Sequence, residues 1–147
     1  MKNILITGGA GLVGSVLTKG LKDKFNISIL DIKKVDGVDS HTGDISNIDS
    51  IMPAFKGIDT VVHLAGDRRV HGDWDSILNN NIIGLYNIYE AARLSGVKRV
   101  VFASSQHATG GFYDVEPYSF IEKGEYEKLP KDYKPLDETC RIRPDSF

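Results

Sequence analysis

Only one cysteine, Cys140, occurs in the 147 residues. A disulfide framework within the chain is excluded, and there is no second thiolate for a metal site, so Cys140 reads as a bystander thiol in a loop. Lysine and arginine nowhere gather into a basic run and the net charge is −2, which argues against nucleic acid as a partner. No apolar stretch reaches the length needed to cross a bilayer, and the first apolar run passes straight into a glycine-rich turn without a cleavable leader pattern. A cytoplasmic protein without membrane contact is the expectation. Internal repeats and low-complexity tracts are lacking too. With 41% hydrophobic residues, the chain can bury a moderate core as one domain.

Strand and helix patterns alternate along the first hundred residues. Strands are predicted at 2–7, 27–31, near 41–44, 59–64 and 98–104, and helices at about 12–24, 47–55 and 74–95. Alternation of this kind implies a parallel sheet covered by helices on both faces. The runs Ile4-Leu5-Ile6, Thr60-Val61-Val62 and Val100-Val101-Phe102 are apolar throughout, as expected of strands buried on both sides. From Gln106 onward the periodicity stops: Gly110-Gly111, four prolines and scattered aromatics predict mostly loop with short turns. So long an irregular segment is unusual unless it serves a site or packs on something else.

The most informative stretch is Thr7-Gly8-Gly9-Ala10-Gly11-Leu12-Val13-Gly14, which joins the first strand to the first helix. Gly8 permits the tight turn, Gly11 lets backbone approach a pyrophosphate, and Gly14 lets the helix sit close on its strand. The helix N-terminus then offers free N–H groups to the anion. Asp31, followed by Ile32, stands at the end of the second strand, where a carboxylate accepts from both hydroxyls of an adenosine ribose and repels a 2′-phosphate. NAD is therefore favoured over NADP, although Lys33 and Lys34 soften that repulsion.

Further candidates sit at other strand ends. Asp44-Ile45 follows the third strand, where the acid would meet an adenine amine and Ile45 the ring face; the alternative is a helix-entry acid beside Ser46-Asn47. Leu64-Ala65-Gly66 closes the fourth strand with small residues that admit a cofactor ribose, and His63 before them reads as a buried structural histidine. Arg68, Arg69 and His71 form a basic loop that would clamp a substrate anion or simply be solvated. Asn81 interrupts an apolar stripe of Ile77, Leu85, Ile88 and Ala92, so its amide needs a specific partner, and Gly84 marks close helix packing. Ala103-Ser104-Ser105-Gln106-His107 follows the fifth strand and offers hydroxyls to a reacting oxygen, without the elbow motif of acyl chemistry.

The T-G-x-x-G-x-x-G form resembles extended short-chain dehydrogenases, the NAD-dependent epimerase/dehydratase family. The strings Asn81-Ile82-Ile83-Gly84-Leu85-Tyr86-Asn87-Ile88-Tyr89-Glu90-Ala91-Ala92 and Val101-Phe102-Ala103-Ser104-Ser105 are most similar to uronate dehydrogenases and archaeal NAD-dependent glucose-6-phosphate dehydrogenases. The resemblance implies an α/β, Rossmann-like doubly wound parallel sheet that ends after its fifth strand with a long loop-rich tail. It implies NAD as cofactor, with Gly8, Gly11, Leu12, Val13, Gly14, Asp31, Ile32, Asp44, Ile45, Leu64, Ala65, Gly66, Asn81 and Ser104 around it. Ser105 would be the catalytic serine and Asn81 the tetrad asparagine, with Arg68, Arg69, Gln106 and His107 on an anionic sugar. Gln106 stands where those sugar dehydrogenases carry asparagine, one methylene shorter. No metal is implied.

Family members carry a Tyr-x-x-x-Lys motif that supplies the proton-transfer tyrosine, and none of the six tyrosines here has lysine four residues on. The expectation is an NAD-binding Rossmann domain over 1–105, a loop-rich active-site segment of the same domain over 106–147, and no substrate domain. Such a chain would be the NAD-binding portion of a sugar dehydrogenase, with little turnover by itself. A nucleotide-sugar epimerase/dehydratase of the UDP-glucose 4-epimerase kind and a non-catalytic NAD-binding module are the alternatives. Apolar surface is expected to be left bare on the fifth strand and the 74–95 helix, favouring a homo-oligomer.

Overall fold

In a computed structural model, residues 1–69 and 72–145 are described; His71 of the expected basic loop lies outside them. The chain forms two compact units, Met1–Ala103 and Ser104–Phe147.

The first unit contains one parallel sheet of five strands: β1 (Asn3–Thr7), β2 (Asn26–Asp31), β3 (Asp39–Thr42), β4 (Thr60–His63) and β5 (Arg99–Phe102), in the order β3-β2-β1-β4-β5. β1 is central because its residues are apolar on both faces: Leu5 and Ile6 are fully buried, as are Ile29 and Leu30 beside them on β2. The chain leaves β1 toward β2 on one side and returns to β4 on the other. The crevice between those diverging connections, at the C-terminal strand ends, is where this topology places ligands.

Helix α1 (Leu12–Leu21) joins β1 to β2, and α2 (Ile48–Ile51) runs on as a 3-10 turn (Met52–Phe55) before β4. Leu5, Leu30, Ile51, Phe55, Val61 and Ile88 form the core on one face of the sheet. Between β4 and β5 the helix is not uniform: α3 (Trp74–Ile77), a π-helical turn (Leu78–Ile83) and α4 (Gly84–Leu94) follow without a break. Asn79 and Asn80 donate side-chain hydrogen bonds back to the carbonyls of Asp75 and Ser76, where the ladder widens from four- to five-residue spacing. At Gly84 a Cβ would lie 2.7 Å from Ile45, so the helix presses on the core there as its glycine suggests.

Three sequence expectations are adjusted. β3 lies two residues earlier than 41–44 and is polar (Asp39-Ser40-His41-Thr42), which is tolerated because it is an edge strand paired only with β2. α1 stops at Leu21 and gives way to turns before β2. β5 is not buried on both sides: Val101 and Phe102 are 48% and 45% exposed at the other edge of the sheet. The helix likewise bares Ile82, Tyr86 and Tyr89.

The second unit has short 3-10 turns (Gln106–Ala108, Gly110–Phe112 and Tyr126–Lys128) and one brief helix, α5 (Tyr118–Glu122). Its mostly irregular character agrees with the composition after Ser105.

Candidate nucleotide-binding site

At the end of β1 the chain turns through Gly8, whose φ of +71° lies in the left-handed region. A Cβ on Gly8 would sit 2.8 Å from the Ala65 nitrogen, and one on Gly14 only 2.5 Å from the Gly8 carbonyl oxygen and 2.6 Å from Gly9 Cα. These two glycines let the turn, the helix and the chain leaving β4 approach more closely than any side chain permits. Gly11 is different: it is exposed and lines the crevice. It is also the N-cap of α1 and supplies no side-chain hydrogen bond, so the helix's first-turn N–H groups, which have no partner within the helix, are left for an anion.

A cleft of about 780 Å³ opens over the C-terminal ends of β1, β2 and β4. Gly8, Gly11, Leu12, Val13, Asp31, Ile32, Asp44, Ile45, Ala65, Gly66, Arg68 and Arg69 all line it, so most residues singled out from the sequence converge on one surface. Asp31 Oδ2 accepts from Ala10 N at 3.0 Å and Oδ1 from Lys33 N at 3.1 Å. The carboxylate thus ties the glycine turn to the tip of β2 and keeps about two of its roughly four acceptor positions for a ligand. Asp44 is not the helix cap: Asn47 is, accepting from Asp49 N, while Asp44 Oδ1 accepts from the backbone and hydroxyl of Ser46. Ile45 is almost fully buried against Gly84, with only its margin in the cleft.

Asn81 finds its partner in the main chain after β4. Its Oδ1 accepts from Asp67 N at 2.7 Å and its Nδ2 donates to Asp67 O at 2.8 Å, a two-pronged clamp on the backbone of one residue. A Cβ on Gly66 would come within 2.9 Å of the same Oδ1. Asn81 therefore acts on the wall of the cleft through Asp67 and the adjoining Gly66.

Arg69, expected as an anion clamp, directs its guanidinium instead onto the Asp67 carboxylate and more weakly onto Asp73. The Arg69 hydrogen bonds, then that from Ser76 at 2.6 Å, hold Asp67 well below the usual carboxylate range, and the Asp67 carboxylate raises Arg69 above its own. Arg68 stays exposed at the rim. His63 is structural as read: its Nδ1 lies 2.6 Å from the Thr7 hydroxyl, its ring stacks on Phe102, and burial lowers its pKa to about 4. Thr7 Oγ1 also accepts from Leu64 and Ala65 N, so its proton goes to His63.

Ser104, Ser105, Gln106 and His107 begin the second unit, and the first three are exposed. Ser105 caps a 3-10 turn, its Oγ accepting from His107 N at 3.2 Å, which leaves the hydroxyl proton free to donate elsewhere. Among the described residues, no group of three or more His, Cys, Asp or Glu could hold a metal ion, and no helix is long and apolar enough to cross a membrane.

The model of the NAD dependent epimerase/dehydratase family matches residues 4–135. The chain belongs to this family. It is 34% identical over its full length to an L-arabinose 1-dehydrogenase (NAD(P)(+)) of Haloferax volcanii, covering 56% of that protein. It is also 36% identical over 140 residues to a uronate dehydrogenase of Pseudomonas syringae, covering 88% of this chain and 50% of that one. The crystal structure of a tyrosine-to-alanine mutant of uronate dehydrogenase from Agrobacterium tumefaciens complexed with NAD superposes with a TM-score of 0.69 at 37% identity, over 74% of this chain and 43% of that one. The chain thus spans about half the length of the curated relatives it matches. The family, the Rossmann-like parallel sheet and NAD as the family's cofactor agree with the reading of the residues.

Two polar residues lining the cleft, Asp67 and Ser76, and one buried behind it, Asn87, escaped the sequence reading. Asp67 and Ser76 are polar residues at the mouth of a loop and give no periodic signal. Asn87, buried and donating to Ile45 O at 2.8 Å, was hidden inside a helical string.

Proposed function

We propose that the chain is the NAD-binding portion of a sugar dehydrogenase that acts on a uronate or sugar phosphate. The observation that carries this reading is the cleft in which Gly8 and Gly14 clear room for backbone, Gly11 opens the N-terminus of α1, and Asp31 stands across from them. This donor set fits a dinucleotide: N–H groups for a pyrophosphate, and a carboxylate with acceptor positions to spare for a ribose. NAD, when bound, supplies the acceptor for the hydride that leaves the sugar.

The chain's own residues divide the remaining work. Gly11, Leu12 and Val13 hold the diphosphate; Asp31 and Ile32 hold the adenosine ribose, with Asp44 and Ile45 at the base. Leu64, Ala65 and Gly66 offer backbone to the nicotinamide side, Asn81 holds that backbone in place through Asp67, and Ser104 borders the cofactor. Ser105 donates its free hydroxyl proton to the reacting sugar oxygen. Arg68 at the rim of the first unit's cleft, and in the second unit Gln106 and His107, are the candidate groups for the anionic sugar, and Arg69 steadies Asp67. The segment 106–147 serves as the active-site loop of the same domain. Proton removal in this family needs the tyrosine of Tyr-x-x-x-Lys, which these 147 residues do not contain. Because positioned proton transfer contributes roughly a hundred- to ten-thousandfold, the 147 residues alone turn over little. The bare Ile82, Tyr86 and Tyr89 support pairing of copies.

Calorimetric titration with NAD and NADP tests the reading. NAD binding that weakens at least about tenfold in Asp31→Ala is expected, as for loss of charge-assisted hydrogen bonds; absence of NAD binding refutes it. In an enzyme that includes the Tyr-x-x-x-Lys motif, net NADH formation marks a dehydrogenase, whereas isomerised sugar without NADH moves the chain to the epimerases.

A further inference from the structure

A second polar constellation lies wholly within the second unit. His107 Nδ1 and Asp145 Oδ1 are 2.8 Å apart, each side chain about a third exposed (34% and 29%). The pair is built rather than incidental. Asp145 N donates to His107 O, Arg143 N to Ala108 O, and Gly111 N to Arg143 O, so residues 143–145 are laced along 107–111 by backbone hydrogen bonds. The Arg143 guanidinium lies over the Phe112 ring at 5.8 Å and anchors the same strip. The Gly110-Gly111 pair provides the space: a Cβ on Gly110 would fall 2.0 Å from Asp145 Oδ2, and one on Gly111 2.8 Å from the Arg143 side chain. The two glycines, unexplained by the cofactor cleft, are what admit the carboxylate to the histidine.

We propose that Asp145 is a positioning residue whose carboxylate fixes the His107 ring so that Nε2 presents its lone pair to a sugar hydroxyl. An ionised carboxylate only accepts, so the ring nitrogen facing it must carry the proton. In the neutral ring the other nitrogen is then an acceptor. The same logic fixes the tautomer of histidines held by carboxylates elsewhere. Ser105 accepts from His107 N, so the turn that sets the serine also sets the histidine, and the two side chains offer a sugar complementary groups: a hydroxyl donor and an imidazole acceptor.

The inference rests on the reading of the chain as part of a sugar dehydrogenase. It is tested on the 147-residue chain carrying ring-¹⁵N histidine, with His107 assigned by its loss in His107→Gln. For the neutral ring, NMR is expected to show Nδ1–H with Nε2 bare, and glucuronate added at saturating NAD is expected to shift Nε2. Asp145→Ala should move the proton to Nε2 and weaken glucuronate about fivefold, the scale of one hydrogen bond. Asp145→Asn, which keeps a carbonyl acceptor, should restore both. An Nε2–H ring in the unaltered chain, an Nε2 signal unmoved by glucuronate, or an unchanged glucuronate Kd in Asp145→Ala each overturns the proposal. NAD titration run alongside separates the two failures: Asp31-dependent NAD binding with a silent Nε2 sinks the dyad alone, whereas loss of NAD binding sinks the function.

Discussion

His63 makes the stability of the first unit depend on pH between its folded and unfolded pKa values. Its ring is 1% exposed, packed on Phe102 and accepting from Thr7, and it is neutral in the folded chain because burial lowers its pKa to about 4. In the unfolded chain it returns to about 6.5. The unfolded state therefore binds a proton between those values that the folded state refuses. The contribution is complete above about pH 6.5 and is lost as pH falls toward 4. Between pH 7 and pH 5 the loss is about 2 kcal/mol, from the linkage relation applied to those two pKa values. Carboxylates held low in the folded chain, Asp67, Asp73, Glu90 and Asp137, act in the same direction. Their contributions begin to fail only near and below the ordinary carboxylate range, so they hardly enter this window. Urea unfolding at pH 7 and pH 5, followed by the fluorescence of the single tryptophan, Trp74, reads the unit that contains His63. The variant His63→Gln should be less stable at pH 7 by about 1–2 kcal/mol, through lost ring packing and an altered bond to Thr7, but its stability should be nearly flat across the window. Equal pH slopes in the two proteins would refute the reasoning.

Three further expectations concern named positions. Gly14→Ala drives a Cβ into the Gly8 carbonyl and should cost at least about 2–3 kcal/mol with loss of NAD binding, whereas Gly20→Ala, in the same helix with nothing within 4 Å, should gain about 0.5–1 kcal/mol; thermal melts with NAD titration compare them. Asn81→Leu strands the N–H and carbonyl of Asp67 and should lower stability by about 1–3 kcal/mol in urea melts and weaken NAD; an unaltered NAD Kd would show that the clamp does not hold the cleft wall. Arg69→Met should leave NAD binding within about twofold, because the guanidinium serves Asp67 and not the cofactor, while lowering the melting temperature; a large loss of NAD affinity by calorimetry would return Arg69 to the role of anion clamp.

What could be read from sequence is what short-range physics dictates. A glycine at a turn, an apolar run of strand length and an acid at a strand end announce themselves locally, because backbone sterics and side-chain periodicity act over a few residues. Those signals located β1, β2, β4 and β5, the glycine turn, Asp31 and the irregular character after Ser105. They also marked Asn81 as an amide in need of a partner, and His63 as structural. β3 was harder, since an edge strand can be polar and carries no hydrophobic signature.

Only the tertiary structure decided who the partners are. Thr7 and His63 are 56 residues apart, Asn81 and Asp67 fourteen, His107 and Asp145 thirty-eight. Nothing in the residue types names those pairs. The π-turn at Leu78–Ile83 contains Asn81, and Asn87 in the helix beyond it is buried against Ile45 O; the partners of both amides lie on other elements. Arg69 is the sharpest case: a basic loop above an anion-binding crevice suggests a clamp, yet a nearby carboxylate, already gripped by Ser76, captures the guanidinium first. Local sequence determines which groups are offered, and three-dimensional proximity determines which of them are already satisfied before a ligand arrives.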